Sequence, residues 1–72
     1  MLKTERLLET VFLLLGKRKV TAEELATRFG VSKRTVLRDM ESLSLAGIPI
    51  YSRQGKEGGF SLMETFILDK SL

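Results

Sequence analysis

The stretch from Thr21 to Leu43, TAEELATRFGVSKRTVLRDMESL, constrains this chain more than any other. It reads as two short helices joined by a sharp turn. Thr21 is suited to cap the first of them, and Glu24, three positions later, completes a capping box. Leu25, Ala26 and Phe29 face inward from that helix, and the small Ala26 lets a second helix cross closely. Gly30 permits the positive φ of a tight turn. Ser32 then caps the second helix by accepting from a backbone N–H two or three residues on. At about 100° per residue, Val36, Met40 and Leu43 fall within about 60° of arc and form a buried stripe. The β-branched Val36 is the wedge that locks the second helix onto the first. The pattern predicts a helix-turn-helix, whose second helix usually enters the DNA major groove.

The polar side of that second helix carries the chemistry. Arg34, Arg38, Glu41 and Leu45 point away from the apolar stripe, and Lys33 and Thr35 flank the helix start. The first turns therefore present Lys33, Arg34, Thr35 and Arg38 outward, beside the cap Ser32. These are groups that bond phosphate oxygens or guanine edges. The bland alternative is a solvated charged face that only keeps the domain soluble. The turn before this helix and the hairpin after it weigh against that alternative.

Composition sets the limits. The 72 residues allow one small domain, and 43% of them are hydrophobic, which suits a compact fold. There is no cysteine and no histidine. A disulfide framework, a thiolate metal site and the commonest general base are all excluded. No Gly-Lys phosphate cradle is present and no two carboxylates share a persuasive spacing, so an enzyme is not expected, nor is any cofactor or metal. The longest purely apolar run, Val11 to Leu15, is too short to span a bilayer. The start MLKTERLLE lacks a secretory cleavage pattern, and the expected location is cytoplasmic. Net charge is only +3. Its placement matters more: Lys33, Arg34 and Arg38 share one helix, Arg53 and Lys56 one later loop, and Lys17, Arg18 and Lys19 one link.

Upstream, a first helix is expected from about Lys3 to Leu15. Leu7, Leu8, Val11, Leu14 and Leu15 cover one broad face, with Phe12 at its edge. Leu13 falls on the opposite side without a core partner. Gly16 is expected to stop the helix as a C′ residue, and Lys17 to Val20 to form a short extended link or small edge strand. Downstream, Gly47 ends the third helix. Pro49 can open an edge strand. Ile48 and Ile50 alternate with Pro49 and Tyr51, and Phe60 and Leu62 alternate around Ser61. Between them Ser52 to Gly59, SRQGKEGG, makes a flexible cationic loop, and Gly58-Gly59 suggests a bulge or a close backbone approach to phosphate. A hairpin directly after such a helix reads as a wing.

The order helix, helix, recognition helix, hairpin resembles the N-terminal winged helix-turn-helix domain of DeoR-like bacterial transcription regulators, in particular those whose C-terminal half is a WYL ligand-sensing domain. The resemblance covers roughly Thr4 to Leu68. It is most specific in VSKRTVLRDMESL at 31–43 and GIPIYSRQGKEGGFSLM at 47–63. The family run that starts the DNA-reading helix matches at Ser32, Arg34, Thr35, Val36, Arg38 and Asp39. The lead into the wing matches at Gly47 to Tyr51, and the exit at Gly58, Gly59 and Phe60. Family members are usually several times longer, with an effector domain after the wing. The resemblance thus leaves two readings of this chain, an excised DNA-binding domain or a free-standing short relative.

The fold expected is mainly α with a small β-hairpin, a three-helix bundle plus wing spanning 1–63. An apolar tail, 64–72, would serve as linker or dimer contact. The expected partner is double-stranded DNA, with a homodimer and a C-terminal effector domain as further candidates, and no membrane. The recognition helix, about 32–45, would lie in the major groove and the wing, 52–59, on the backbone. The DNA-contacting set is Ser32, Lys33, Arg34, Thr35, Arg38, Arg53 and Lys56. The rival reading is a protein–protein interaction module on the same scaffold, motivated by Leu13, Leu37 and Leu45.

Overall fold

Helix α1 spans Lys3–Gly16 and begins with half a capping box: the Leu2 backbone N–H donates to Glu5 Oε1 at 2.9 Å. The computed structural model describes residues 1–16, 19–53, 55 and 58–63. Within α1, Leu14 and Thr10 are buried, and Leu7, Val11 and Leu13 pack against the core. Thr10 satisfies its buried hydroxyl by donating to the Arg6 carbonyl, one turn back, at 2.8 Å. The helical phase therefore differs from the one the leucine pattern suggests. Leu13 turns inward, whereas Leu8 and Leu15 are 57% and 42% exposed. The reason is that two polar residues, Arg6 and Thr10, belong to the buried face, which rotates the stripe away from Leu8 and Leu15. Gly16 is the last residue of the helix, one position inside the expected C′, and does not take a positive φ.

Val20 follows as an isolated antiparallel bridge to Phe60, with Val20 N–H to Phe60 carbonyl at 2.9 Å and the reverse bond at 2.7 Å. This is the small edge strand expected there, reduced to one residue pair. Helix α2, Ala22–Phe29, opens with the capping box in full. Glu24 N–H donates to Thr21 Oγ1 at 3.0 Å, and Thr21 N–H donates to Glu24 Oε1 at 2.9 Å. Gly30, at φ 66°, closes α2 in the left-handed conformation, and its N–H caps the Ala26 carbonyl. The Val31 N–H bonds the same carbonyl at 3.0 Å. A side chain at 30 would be strained by its backbone angle alone.

Helix α3, Lys33–Leu45, starts from Ser32, whose Oγ accepts from the Thr35 N–H at 3.1 Å. Val36, Met40 and Leu43 are buried as the periodicity requires, and Asp39 is buried among them. Gly47 reverses the chain at φ 98°, and the Ile48 N–H returns to the Leu43 carbonyl. Strands β1, Ile50–Arg53, and β2, Gly59–Leu62, then pair antiparallel with Ile50 opposite Leu62 and Arg53 opposite Gly59. Arg53 thus closes β1 instead of belonging to the loop. Phe60 and Leu62 point into the core shared with Leu14, Leu25 and Val36. No helix among the described residues is long and apolar enough to cross a membrane.

Gly59 has a packing role that its sequence context does not signal. A Cβ there would lie 2.7 Å from Lys19 Cγ and 3.1 Å from the Val20 carbonyl oxygen. The missing side chain lets β2 lie against residues 19 and 20 of its own chain and so makes the Val20–Phe60 bridge feasible. The expected tail, 64–72, lies outside the described residues, as do Lys17, Arg18 and Lys56.

Candidate nucleic-acid interface

Burial of Val36, Asp39, Met40 and Leu43 fixes the rotation of α3, and this sets what its other side presents. Arg34, Arg38, Glu41 and Leu45 are all exposed on that side, Leu45 at 85%. Arg34 and Arg38 have no acidic partner among the described residues, so both guanidinium groups project as free cations. Thr35 lies half-buried on the flank, where its Oγ1 accepts from Ser32 Oγ at 3.1 Å. Ser32 and Thr35 thereby stiffen the first turn of α3, directly beneath Arg34.

The first turn of α3 contains no acidic residue. It places Lys33 and Arg34 at the positive end of the helix macrodipole, an arrangement that costs a few tenths of a kcal/mol per cation. Helix α2 shows the opposite, stabilising arrangement, with Glu23 and Glu24 in its first turn. The start of α3 is therefore suited to an anion, through backbone N–H groups, dipole and side-chain charge together.

Lys33 is not free. Its Nζ lies 3.4 Å from Glu23 Oε2 across the turn, and both side chains are largely exposed. A groove of about 420 Å³ opens beside this pair, bounded by the start of α2, the Lys33–Leu37 flank of α3, and the wing residues Ser52, Arg53 and Gly58. Arg53 stacks near the Tyr51 ring, 6.0 Å from its centroid, and both residues are exposed. Of the residues expected from sequence, Ser32, Lys33, Arg34, Thr35 and Arg38 come together at the start of α3. Arg53 shares the groove with Lys33 alone of these, and Lys56 is outside the described residues.

Two features of this surface escape sequence reasoning. From sequence Glu23 is no more than an acid in the first turn of a helix, although its spacing from Lys33 across a tight turn carries a weak signal. Asp39 matches the family motif there without a role. In the structure it accepts from Arg6 of α1 twice, from Nε at 2.5 Å and from Nη2 at 3.0 Å. The hydrogen bond to Asp39, opposed by burial, raises the Arg6 pKa above its ordinary value, so the guanidinium stays charged. The pair ties α3 to α1. A second, exposed pair, Arg28 to Glu9 at 2.9 Å, ties α2 to α1 and contributes little.

Three helices with a left-handed glycine turn between the second and third, followed by an antiparallel hairpin, define a winged helix-turn-helix domain. The chain belongs to the HTH domain family, whose model matches residues 6–61. It is similar to the protein of Bacillus subtilis (strain 168) named "Uncharacterized HTH-type transcriptional regulator YobV", at 51% identity over 69 residues, or 96% of this chain. The chain spans 22% of that regulator's length. No solved structure matches it.

Proposed function

We propose that this chain is the DNA-reading domain of a transcription regulator of the DeoR-like, WYL-associated type, binding double-stranded DNA in a sequence-specific way. The observation that carries the proposal is the start of α3, where Lys33 and Arg34 occupy a helix N-terminus that intramolecular electrostatics alone would furnish with acids. In this reading α3 enters the major groove. Arg34 and Thr35 reach base edges, Lys33 is a weaker candidate for that role, and Arg38 meets phosphate. Arg53 and Lys56 of the wing lie on the flanking backbone or minor groove. The similarity to a much longer HTH-type regulator supports a role as one module of such a protein, with an effector domain following the wing. The interaction-module reading rests on Leu37 and Leu45 alone, because Leu13 packs against the core.

A bidentate Arg–guanine pair is worth roughly 1–3 kcal/mol of discrimination. Arg34→Ala should therefore weaken binding to a site selected from a random pool by about tenfold or more, while affinity for random duplex falls much less. Equal losses on both would reduce Arg34 to a phosphate contact. For the wing, Arg53→Ala with Lys56→Ala should lower affinity for all sequences. The slope of log affinity against log salt should flatten by up to about two units, near 0.9 for each phosphate no longer engaged. An unchanged slope would remove the wing from the interface.

A further inference from the structure

Glu23 lies beside the cations proposed to attract phosphate. It lies in the first turn of α2, lines the groove between α2, α3 and the wing, and keeps its carboxylate 3.4 Å from the Lys33 ammonium. Its side chain is 76% exposed, so the carboxylate is not needed to fill the core. The α2 dipole already has Glu24 in the same turn, and Glu24 makes the capping box. The fold therefore does not require a second acid at position 23, and a carboxylate there opposes any approaching DNA backbone.

We propose that Glu23 tunes the strength and salt sensitivity of DNA binding: by pairing with Lys33 it withdraws one cation from the sequence-independent attraction to phosphate, leaving discrimination to the unpaired Arg34. The inference rests on the DNA-reading role proposed above. Non-specific binding grows with the number of phosphates that cations neutralise, whereas specific binding adds base contacts that Glu23 does not touch. An internal carboxylate competes with phosphate for Lys33 wherever the domain lands. The same free energy is therefore lost on selected and on random sequence, so the pair lowers overall affinity and salt sensitivity and leaves the ratio between the two unchanged. An exposed ion pair is weak, which suits a group that must tune binding without preventing it.

The test uses the intact chain, a short random-sequence duplex, and a duplex selected by the parent from a random pool, with affinities followed by fluorescence anisotropy across a salt series. Glu23→Gln should bind the random duplex up to about fivefold more tightly at low salt. Its log–log salt slope should steepen by up to about 0.9 on both duplexes, with the ratio of selected to random affinity unchanged. Adding Lys33→Met should return the slope to the parent value, because the released cation is then gone. Thermal melts of both variants should overlay the parent. An unchanged slope and affinity in Glu23→Gln would overturn the inference while leaving the DNA-reading role intact. So would an equal steepening in the Lys33→Met background, since Glu23 would then act as a bare surface charge and not through Lys33. A parent that binds neither duplex would overturn the functional reading, and this inference with it.

Discussion

Val36→Asp should abolish cooperative folding. Val36 is 2% exposed and sits where α3 crosses α2, packed in the cluster that holds Leu14, Leu25, Met40, Leu43, Phe60 and Leu62. An aspartate there must either bury an ionised carboxylate without a partner or take up a proton. The half-buried cation of α1, Arg6, is already bonded to Asp39. The effective penalty of an unpaired buried ion is several kcal/mol. A core of this size rarely supplies more than about 3–5 kcal/mol of net stability, so the substitution should exceed what the domain has. Val36→Ala is the milder control, removing two methyl groups at a cost of about 1–3 kcal/mol, and should melt lower but still fold. Circular dichroism melts of the two variants check this. An aspartate variant that melts like the parent would mean that the assigned face of α3 is wrong, and with it the outward placement of Arg34.

Asp39→Ala should lower stability by about 3 kcal/mol, the lower end of the cost of stranding one member of a buried ion pair. The lower end applies because the Arg6 side chain keeps 14% of its surface and can turn toward water, whereas Asp39 keeps 4%. Replacing both partners with hydrophobic residues of similar volume should recover most of the loss, since a well-packed apolar pair can replace a buried ion pair at little cost. The raised Arg6 pKa means its contribution is fully present below the ordinary guanidinium value. It is lost only as pH climbs through a still higher one, so the Arg6 side of this pair should add no pH dependence between mildly acid and mildly alkaline conditions. Chemical denaturation of the single and double variants measures the coupling. A double variant as unstable as Asp39→Ala alone would show that α1 and α3 need this polar tie and not merely filled volume.

Much of this architecture is legible in the sequence because its signals are local. The capping box at Thr21 and Glu24, the glycine turn at 30, the cap at Ser32 and the period of Val36, Met40 and Leu43 each act within a few residues. Each appears in the structure where the sequence places it. The hairpin is legible for a similar reason, since Phe60 and Leu62 alternate with polar or small neighbours and both are buried. The phase of α1 is not. A reading by hydrophobicity sends Arg6 and Thr10 outward, yet one reaches across the core to Asp39 and the other bonds its own helix backbone. With those two residues inside, Leu13 turns in and Leu8, Phe12 and Leu15 turn out. Tertiary pairing of polar groups leaves no periodic trace in a single sequence. The same holds for Lys33, whose charge is legible but whose partner across the turn is not. Gly59 suggests a bulge or a ligand approach, whereas its absent Cβ makes room for Lys19 and Val20.

The surface formed by the start of α3 and the wing is proposed to bind DNA through phosphate contacts and base reading. Its sharpest test is a salt titration of the intact chain against duplex DNA, run in parallel on a site recovered from a random pool and on unselected duplex. Log affinity should fall linearly with log salt on both, with a slope near 0.9 for each phosphate engaged. The recovered site should be held tighter than unselected duplex at every salt concentration. Affinity that does not respond to salt, or that is equal on both duplexes throughout, would contradict the proposal.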